Sequence, residues 1–300
     1  MSYRSIYLRK AEQLRLKDNC LLIVRENELP PVRVPLEDIS IILIEDRHTM
    51  LSSSLLGELA KYYIGVIFVD DHYQPSSICM PLYSHYKQLY IFQKQMKVKK
   101  PVYNQCWQKI VKAKIKNQLF TIEHTSKDQY VTDRLKEYVD SVQSDDKSNA
   151  EASAARIYFG NIYGPMFHRN RNLTDPINLA LNYGYTILSS NMVRVLCCYG
   201  FNCALGIHHE SYTNNFNLAF DLVEPFRPVV DIFVYNNLDV LTNPLLPEHK
   251  KSLIALLHDN MRVDGKNYMI ENAQEIIAIS LQRVLEENDS KYLLLPELIQ

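Results

Sequence analysis

The spacing of apolar residues changes near residue 82, and this change limits the possible folds most strongly. Before that point, short apolar runs are separated by turn-like segments such as KDN, a pattern typical of β-strands. One amphipathic helix is predicted at 51–63, followed by a buried strand at 64–69. We therefore expect a small N-terminal β domain over residues 1–82. Its other predicted strands are 6–8, 14–16, 20–24, 32–36 and 39–44.

Beyond residue 82 the apolar spacing becomes helical, so residues 83–300 are predicted to form a larger, mostly α-helical C-terminal domain. The fold class is therefore α+β. The segment HYQPSS (72–77) predicts a linker, QSDDKSNA (143–150) a mobile loop, and Asp264-Gly265 between alternating residues a hairpin turn. The predicted helices are 86–98, 102–120, 129–143, 150–167, 176–199 and 274–287.

Composition excludes several classes of protein. A chain of 300 residues that is 47% hydrophobic can bury a sizeable core, and nothing suggests a disordered or disulfide-dense scaffold. The longest apolar runs, such as Ile39–Ile44, are too short to cross a bilayer, and MSYRSIYLRK lacks the apolar core of a signal peptide. We expect a cytoplasmic protein that does not bind membranes. The six cysteines have no CxxC spacing, which favours free thiols over a zinc ribbon.

Charge is distributed unevenly along the chain. The net charge is −1, yet no Asp or Glu lies between residues 72 and 122, where lysines alternate with aromatic residues. Such a segment suits a phosphate backbone, because each neutralised phosphate releases counterions. The alternative is a solvated helix face whose acidic partners lie elsewhere. Lys87 and Lys114 also lie in this segment. The lysines predicted to contact nucleic acid are Lys94, Lys97, Lys99, Lys100, Lys109, Lys112 and Lys116.

The stretch GIHHESYTNNFNLAFDLVEPFRPVVD (206–231) contains two histidines and four carboxylates. Asn217 can cap a helix that begins at Leu218, and in such a helix Asp221 and Glu224 lie on one face. Carboxylates this close repel each other and usually need a cation, a shared proton or solvent between them. The spacing therefore permits a metal site.

The two histidines of this stretch are adjacent, so only one of His208 and His209 can point to the same place as the carboxylates. One imidazole with two carboxylates favours Mg²⁺ or Mn²⁺ over zinc or copper. The alternative is structural, because Asp221 and Glu224 also match a D-x-x-E helix start and Arg227 could pair with Glu224. The residues alone leave both interpretations open.

The same stretch resembles the signature of the CRISPR-associated spacer-acquisition integrase, the metal-dependent endonuclease subunit that writes new spacers into a CRISPR array. Two further segments, EASAARIYFGNIYG (151–164) and DPINLALNYGYTIL (175–188), are similar to the same family in order and spacing. The segments DLVEPFRP and AARIYF most resemble the type II branch of this family. The family has an N-terminal β domain and a C-terminal helical domain, so the resemblance covers nearly the whole chain.

The resemblance implies a catalytic metal triad. The family's glutamate falls on Glu151, its histidine on His209 and its acid on Glu224, and these residues would hold Mg²⁺ or Mn²⁺. His208 remains the alternative to His209, and Asp221 is a supporting ligand. Read from the residues alone, Glu151 is an ordinary acid in a favourable first helical turn.

The resemblance also implies a reaction and its partners. The 3′-hydroxyl of a spacer precursor attacks a phosphodiester at the edge of a repeat, and water at the same site gives hydrolysis. Arg156 and Arg227 are predicted to contact the scissile phosphate or to hold carboxylates in place. The implied partners are double-stranded DNA, a second copy joined through the β domain, and a small companion Cas subunit. Two alternatives stay open: a metal-dependent nuclease acting on branched DNA or RNA in repair, and a non-catalytic DNA-binding scaffold.

Overall fold

The computed structural model describes residues 4–25, 29–82 and 85–299. Its N-terminal part consists mainly of strands, with helix α1 (Ser53–Lys61) among them. Ser52 caps the start of α1, because its side chain accepts a hydrogen bond from the backbone N–H of Leu55. The strands are β1 (Arg4–Leu8), β2 (Gln13–Lys17), β3 (Cys20–Val24), β4 (Val32–Pro35), β5 (Ile39–Ile44), β6 (Met50–Leu51), β7 (Gly65–Val69) and β8 (Pro75–Cys79).

These strands form two sheets within the described residues. The first has the order β1-β5-β7-β8, in which β1, β5 and β7 are parallel and β8 is antiparallel to β7. The second has the order β4-β3-β2-β6. Asp18 and Asn19 both adopt positive φ between β2 and β3, as a tight hairpin connection requires.

Strand β5 is buried at all six of its positions. Alternate side chains of a strand point to opposite faces of the sheet. Ile41 and Leu43 join a core with the C-terminal helices, whereas Ile42 and Ile44 join a second core with α1 and the other sheet. The first sheet therefore lies between the two cores and connects the two parts of the chain.

The prediction of a linker at 72–77 is wrong, because Pro75–Cys79 is strand β8. A proline lacks the N–H that a central strand needs, but it is tolerated at the first residue of an edge strand. The polar residues QPSS did not indicate a strand, because β8 is largely exposed and needs few apolar side chains. The predicted domain boundary falls between residues 82 and 83, and residue 83 lies outside the described ranges.

Helices dominate the C-terminal part, as the sequence predicted, and the α+β fold class is confirmed. A small sheet with the order β10-β9-β11 accompanies these helices. The elements are α2 (Gln88–Lys97), α3 (Lys100–His124), α4 (Gln129–Ser141), α5 (Ala150–Ile162), α6 (Pro176–Cys198), α7 (Asn217–Val223), α8 (Arg227–Asn236), α9 (Pro247–Ala255), β9 (Asn260–Val263), β10 (Lys266–Met269), α10 (Ile270–Glu287) and β11 (Glu297–Leu298).

The helices differ from the predicted ones mainly at their ends. α3 extends beyond the predicted 102–120 on both sides, and α5 ends at Ile162 rather than at residue 167. The apolar spacing does not predict α8 or α9, which are short and carry a proline in the first turn. The predicted hairpin is confirmed, since Asp264 and Gly265 have φ angles of 50° and 76° between β9 and β10.

Helices α3 and α6 run through the C-terminal core. Trp107 of α3 and Tyr183 of α6 are among the largest fully buried side chains. α6 also packs against the first sheet, where a Cβ on Gly65 of β7 would lie 3.5 Å from Arg194 Cδ. Among the helices of the described ranges, none is both long and apolar enough to span a membrane.

Candidate metal centre

Two carboxylates from distant parts of the chain meet at the ammonium group of Lys114, in the middle of α3. Lys114 Nζ lies 2.6 Å from Glu151 Oε1 and 2.6 Å from Glu224 Oε2. Glu151 is in the first turn of α5, and Glu224 begins a 3₁₀ turn between α7 and α8. The structure thus brings together two residues of the predicted triad around a lysine to which the sequence assigned no role.

Glu151 is positioned by the loop before α5. Both oxygens of Asp146 accept backbone hydrogen bonds at the start of the helix, from Ala150 N at 2.9 Å and from Glu151 N at 3.0 Å. The segment 143–150, predicted as a mobile loop, therefore contains a 3₁₀ turn at Ser144–Asp146 that ties down the start of α5. Ala154, one turn on, is fully buried and lets α5 approach its neighbours closely.

Glu224 is almost completely buried, with 4% of its side chain exposed. Its Oε1 lies 2.9 Å from Arg227 Nη2, so Arg227 holds this carboxylate in place. Its Oε2 lies 2.6 Å from Lys114 Nζ, a charge-assisted contact. Burial alone would raise the pKa of Glu224, yet the charges of Arg227 and Lys114 outweigh burial and lower it. Glu224 therefore remains ionised.

The same contacts keep the ammonium group of Lys114 protonated. Burial would lower the pKa of its ammonium group, but the neighbouring carboxylates of Glu224 and Glu151 raise the pKa above its ordinary value. The ion pair between Lys114 and Glu224 is thus charged on both sides and largely shielded from water.

Asp221 is fully buried and folds the loop before α7. Its Oδ2 accepts hydrogen bonds from Ile207 N at 2.6 Å and His208 N at 2.9 Å, and its Oδ1 accepts one from His209 N at 3.3 Å. The loop approaches so closely that a Cβ on Gly206 would lie 2.2 Å from the His209 carbonyl oxygen. We assign Asp221 to positioning this loop, because its oxygens are already engaged.

His209 is oriented by the same aspartate. Its Nδ1 lies 2.5 Å from Asp221 Oδ1, which leaves Nε2 as the ring atom that can bind a ligand. The hydrogen bond to Asp221 raises the pKa of His209 against the effect of burial. Glu224 and Glu151 raise it further, so the imidazole lies within electrostatic range of both carboxylates.

His208 points elsewhere. Its ring stacks on Trp107, with 4.3 Å between the ring centres and 3° between the planes. Its Nδ1 lies 3.3 Å from Asp145 Oδ1. Both histidines therefore have a carboxylate at Nδ1, as metal-binding histidines commonly do. His209 is the better candidate, because its partner Asp221 is fully buried and closer, whereas one face of the His208 ring is covered by Trp107.

The donor types fit a hard divalent ion, but the side chains are closed around Lys114. Carboxylate oxygens and one imidazole suit Mg²⁺ or Mn²⁺. The buried Glu224 Oε2 is an acceptor for a cation, and at present Lys114 Nζ fills that role at 2.6 Å. In the ranges that the structure covers, however, no three His, Cys, Asp or Glu side chains stand close enough together to hold an ion.

The predicted cap of α7 is wrong. The helix begins at Asn217 itself, and the residue before it, Phe216, provides no side-chain cap. The amide of Asn217 instead donates hydrogen bonds to the carbonyl oxygens of Ala204 at 3.1 Å and Ser211 at 3.0 Å. A buried amide must satisfy its two donors, and here the loop carbonyls do so.

The lysines predicted to contact nucleic acid are not equivalent. Lys109 donates hydrogen bonds to the carbonyl oxygens of Ser290 at 2.9 Å and Leu293 at 2.8 Å, so its charge holds the C-terminal segment. Lys100 pairs with Glu210 at 3.2 Å. Lys94 and Lys112 are partly buried. The exposed members of the set, together with Arg156 on α5, are Lys97, Lys99, Lys100 and Lys116.

Two arginines to which the sequence assigned no role, Arg169 and Arg171, line a cavity of about 540 Å³ near Glu224. Arg169 and Arg171 come from the loop before α6, and Arg227 connects the cavity to Glu224. Burial lowers the pKa of Arg171, and the charges of Arg227 and Arg169 lower it further. The run HRNR (168–171) was the sequence signal that could have indicated this basic surface.

Comparisons with known proteins agree with this architecture. The family model described as CRISPR associated protein Cas1 matches residues 6–242. The chain is 35% identical over 301 aligned residues to the CRISPR-associated endonuclease Cas1 of Neisseria meningitidis serogroup C (strain 8013), covering 100% of this chain and 97% of that protein.

Solved structures share the fold. A casposase bound to integration product superposes with a TM-score of 0.74 at 18% identity, covering 96% of this chain and 92% of that one. A chain of a Cas6-RT-Cas1–Cas2 complex has a TM-score of 0.75 at 20% identity, covering 97% of this chain and 36% of that one. The resemblance found in the three sequence segments is thus confirmed, and the chain belongs to the CRISPR-associated Cas1 family.

Proposed function

We propose that this chain is a metal-dependent DNA endonuclease and integrase of CRISPR adaptation, which joins the 3′-OH ends of spacer-precursor DNA to the CRISPR repeat. One observation carries the proposal: in a member of the Cas1 family, Glu151 and Glu224 converge on one buried cationic position, with His209 within electrostatic range. Mg²⁺ or Mn²⁺ would bind the two carboxylates and Nε2 of His209.

The chemistry exchanges one phosphodiester for another. The attacking 3′-oxygen forms a bond to phosphorus and loses its proton, while the bond to the leaving 3′-oxygen breaks and a free 3′ end remains. Water in place of the 3′-hydroxyl gives hydrolysis. A divalent ion at this site would stabilise charge on the non-bridging, attacking and leaving oxygens.

The protein's own residues hold the site in shape. Asp221 fixes the ring of His209 with Nε2 as the ligand atom. Arg227 engages Oε1 of Glu224, which leaves Oε2 for a cation. Arg227 is therefore assigned to holding a carboxylate, the second of the two roles predicted for it, and Arg156 to the DNA backbone.

The partners proposed are double-stranded DNA, a second copy of the chain, and a small companion Cas subunit. Exposed basic residues would follow the phosphate backbone without reading bases. The fold shared with a casposase bound to integration product and with a Cas6-RT-Cas1–Cas2 complex supports DNA and a companion subunit. The N-terminal β domain (1–82) is the proposed dimerisation region, 83–300 the catalytic domain, and the cytoplasm the place of action.

Strand transfer tests the proposal. Purified chain and companion subunit are incubated with labelled spacer-precursor DNA, a supercoiled repeat plasmid and Mn²⁺, and the joined product is quantified. Glu224→Gln keeps the shape of the side chain but removes the charge. We expect a loss of more than about 100-fold, since outer partners of a metal site alone contribute 10–100-fold. Glu137→Gln, at an exposed acid on α4, is the control and should join DNA normally.

Three outcomes would contradict the proposal in different ways. Undiminished joining by Glu224→Gln would exclude this site as the metal centre. Cleavage of branched DNA or RNA without any joined product would favour the repair nuclease. DNA binding without either reaction would favour the non-catalytic scaffold.

A further inference from the structure

We propose that Lys114 is an internal cation that competes with the divalent ion for Glu151 and Glu224, and thereby sets the metal affinity of the site. The inference rests on the proposed function in one respect, that these two carboxylates bind metal. Lys114 is thus a positioning residue and takes no part in the reaction itself. It holds the two carboxylates together in the metal-free protein and leaves them when the divalent ion binds.

The first argument is the position of the ammonium group. Lys114 Nζ bridges the two carboxylates at 2.6 Å each, and only 10% of its side chain is exposed. Glu151 and Glu224 come from different elements, so the lysine holds together two carboxylates that would otherwise repel each other. A bridging cation between two carboxylates is the arrangement that a metal ion would also make.

The second argument is that each oxygen of Glu224 already has a cationic partner. Arg227 engages Oε1 of Glu224 at 2.9 Å. The other oxygen, Oε2, lies 2.6 Å from Lys114 Nζ. A divalent ion that binds Glu224 through Oε2 must therefore enter the space that the ammonium group holds.

The third argument is charge balance. The two carboxylates are already neutralised by two cations, Lys114 and Arg227, in a nearly buried site. Adding a divalent ion without moving either would leave excess positive charge in a place of low dielectric constant, which is costly. Lys114 is the easier of the two to displace, since a flexible four-carbon stem carries its charge and Arg227 is held over the ring of Tyr185.

A purely structural lysine gives the opposite expectation for metal binding. If Lys114 only joined α3 to α5 and the 3₁₀ turn, its removal would loosen the carboxylates and weaken metal binding. If it competes, its removal must tighten metal binding even though the metal-free protein becomes less stable. The sign of the change in affinity separates the two roles.

The experiment is Mn²⁺ titration of the full chain by isothermal calorimetry, without DNA, at fixed pH and ionic strength. In Lys114→Met we expect Mn²⁺ to bind on the order of tenfold more tightly than in wild type, within the usual range of coupling between two ligands. The melting temperature in EDTA should fall, and the rise on saturation with Mn²⁺ should exceed that of wild type. In Lys114→Met with Glu224→Gln, the tight binding should disappear.

The matched control is Lys109→Met on the same helix. Lys109 is also partly buried, but it donates hydrogen bonds to backbone carbonyls, including Leu293 O at 2.8 Å, rather than to the carboxylates. This variant should lose stability and keep the wild-type Mn²⁺ affinity. Unchanged or weaker binding by Lys114→Met would overturn the inference, whether or not the protein joins DNA.

A measurement on the wild-type chain decides the question should Lys114→Met fail to fold. Lysines are acetylated briefly with and without saturating Mn²⁺, and the extent at each residue is read by peptide mass spectrometry. Displacement of the ammonium group should increase acetylation of Lys114 several-fold, while Lys109 stays constant. Equal acetylation of Lys114 in both conditions would overturn the inference. Failure of strand transfer with Mn²⁺ still bound would instead count against the proposed function alone.

Discussion

Burying a carboxylate in the core of this protein shifts its pKa, as Asp231 shows. Asp231 of α8 is 1% exposed. Its Oδ2 accepts a hydrogen bond from Tyr158 OH at 2.9 Å, and its Oδ1 accepts one from Tyr185 OH. Burial raises the pKa of Asp231 to about 6, and the two tyrosine hydrogen bonds oppose that rise without cancelling it.

This shift predicts a pH-dependent loss of stability. The unfolded aspartate titrates near its ordinary pKa of 3.8, whereas the folded one titrates near 6, so between these values the folded state binds more protons. The free energy of unfolding therefore falls by about 2 kcal/mol as pH rises from about 4 to 6, and by about 3 kcal/mol over the whole titration. Asp231→Asn removes this titration. Urea unfolding at pH 4.5 and 7 should show the variant gaining about 2 kcal/mol of unfolding free energy relative to wild type as pH rises. A difference that stays constant with pH would contradict the prediction.

The residue scale is also where sequence reasoning reached its limit. Lys114 and Glu151 are 37 positions apart, and their contact depends on how α3 packs against α5. No local spacing indicates that one lysine of a basic segment turns inward while Lys116 stays exposed. Glu151 itself was chosen through the family resemblance, because nothing in its surroundings separates it from other acids.

At the scale of elements, the start of α5 decides where Glu151 lies. Asp146 caps this helix from within a loop, with hydrogen bonds to the N–H groups of Ala150 and Glu151. Asp128 caps α4 in a similar way, accepting a hydrogen bond from Val131 N at 3.1 Å. Asp146 and Asp128 are therefore a matched pair of aspartate caps, of which Asp146 adjoins the proposed metal ligand Glu151.

Removing these caps should separate stability from function. Asp146→Ala and Asp128→Ala should each cost about 1–2 kcal/mol of unfolding free energy, because each leaves backbone donors of a first helical turn without a partner. Asp146→Ala should in addition weaken Mn²⁺ binding and strand transfer, since Glu151 loses its support. Asp128→Ala should bind Mn²⁺ as wild type does. Equal Mn²⁺ affinities of the two variants would show that the cap does not position Glu151.

Element prediction succeeded where a pattern is local and failed where tertiary contacts decide. The Asp264-Gly265 turn follows from two residues that tolerate positive φ. β8 was missed because an exposed edge strand needs no apolar alternation. Asn217 was misassigned because its side-chain partners, the carbonyls of Ala204 and Ser211, come from the preceding loop, which sequence spacing does not place.

At the scale of the whole molecule, a buried ion pair joins the N-terminal sheet to the helices. Lys250 Nζ of α9 lies 2.9 Å from Glu45 Oε1, directly after β5, and the side chains are 3% and 9% exposed. Tyr7 OH of β1 donates a hydrogen bond to the other oxygen of Glu45. The parts that the sequence divided near residue 82 therefore share charged contacts as well as the core around Ile41 and Leu43.

Breaking this pair should destabilise the whole chain rather than one part. Lys250→Met leaves Glu45 buried without its cation, which costs about 3–5 kcal/mol when one partner of a buried pair is removed. The double change with Glu45→Gln should recover much of that loss, because no uncompensated charge remains, and the cycle of the two single and one double variants measures the coupling. Thermal unfolding followed by circular dichroism and by the fluorescence of Trp107 should shift together in Lys250→Met. Separate shifts of the two signals would mean that the sheet and the helices unfold independently.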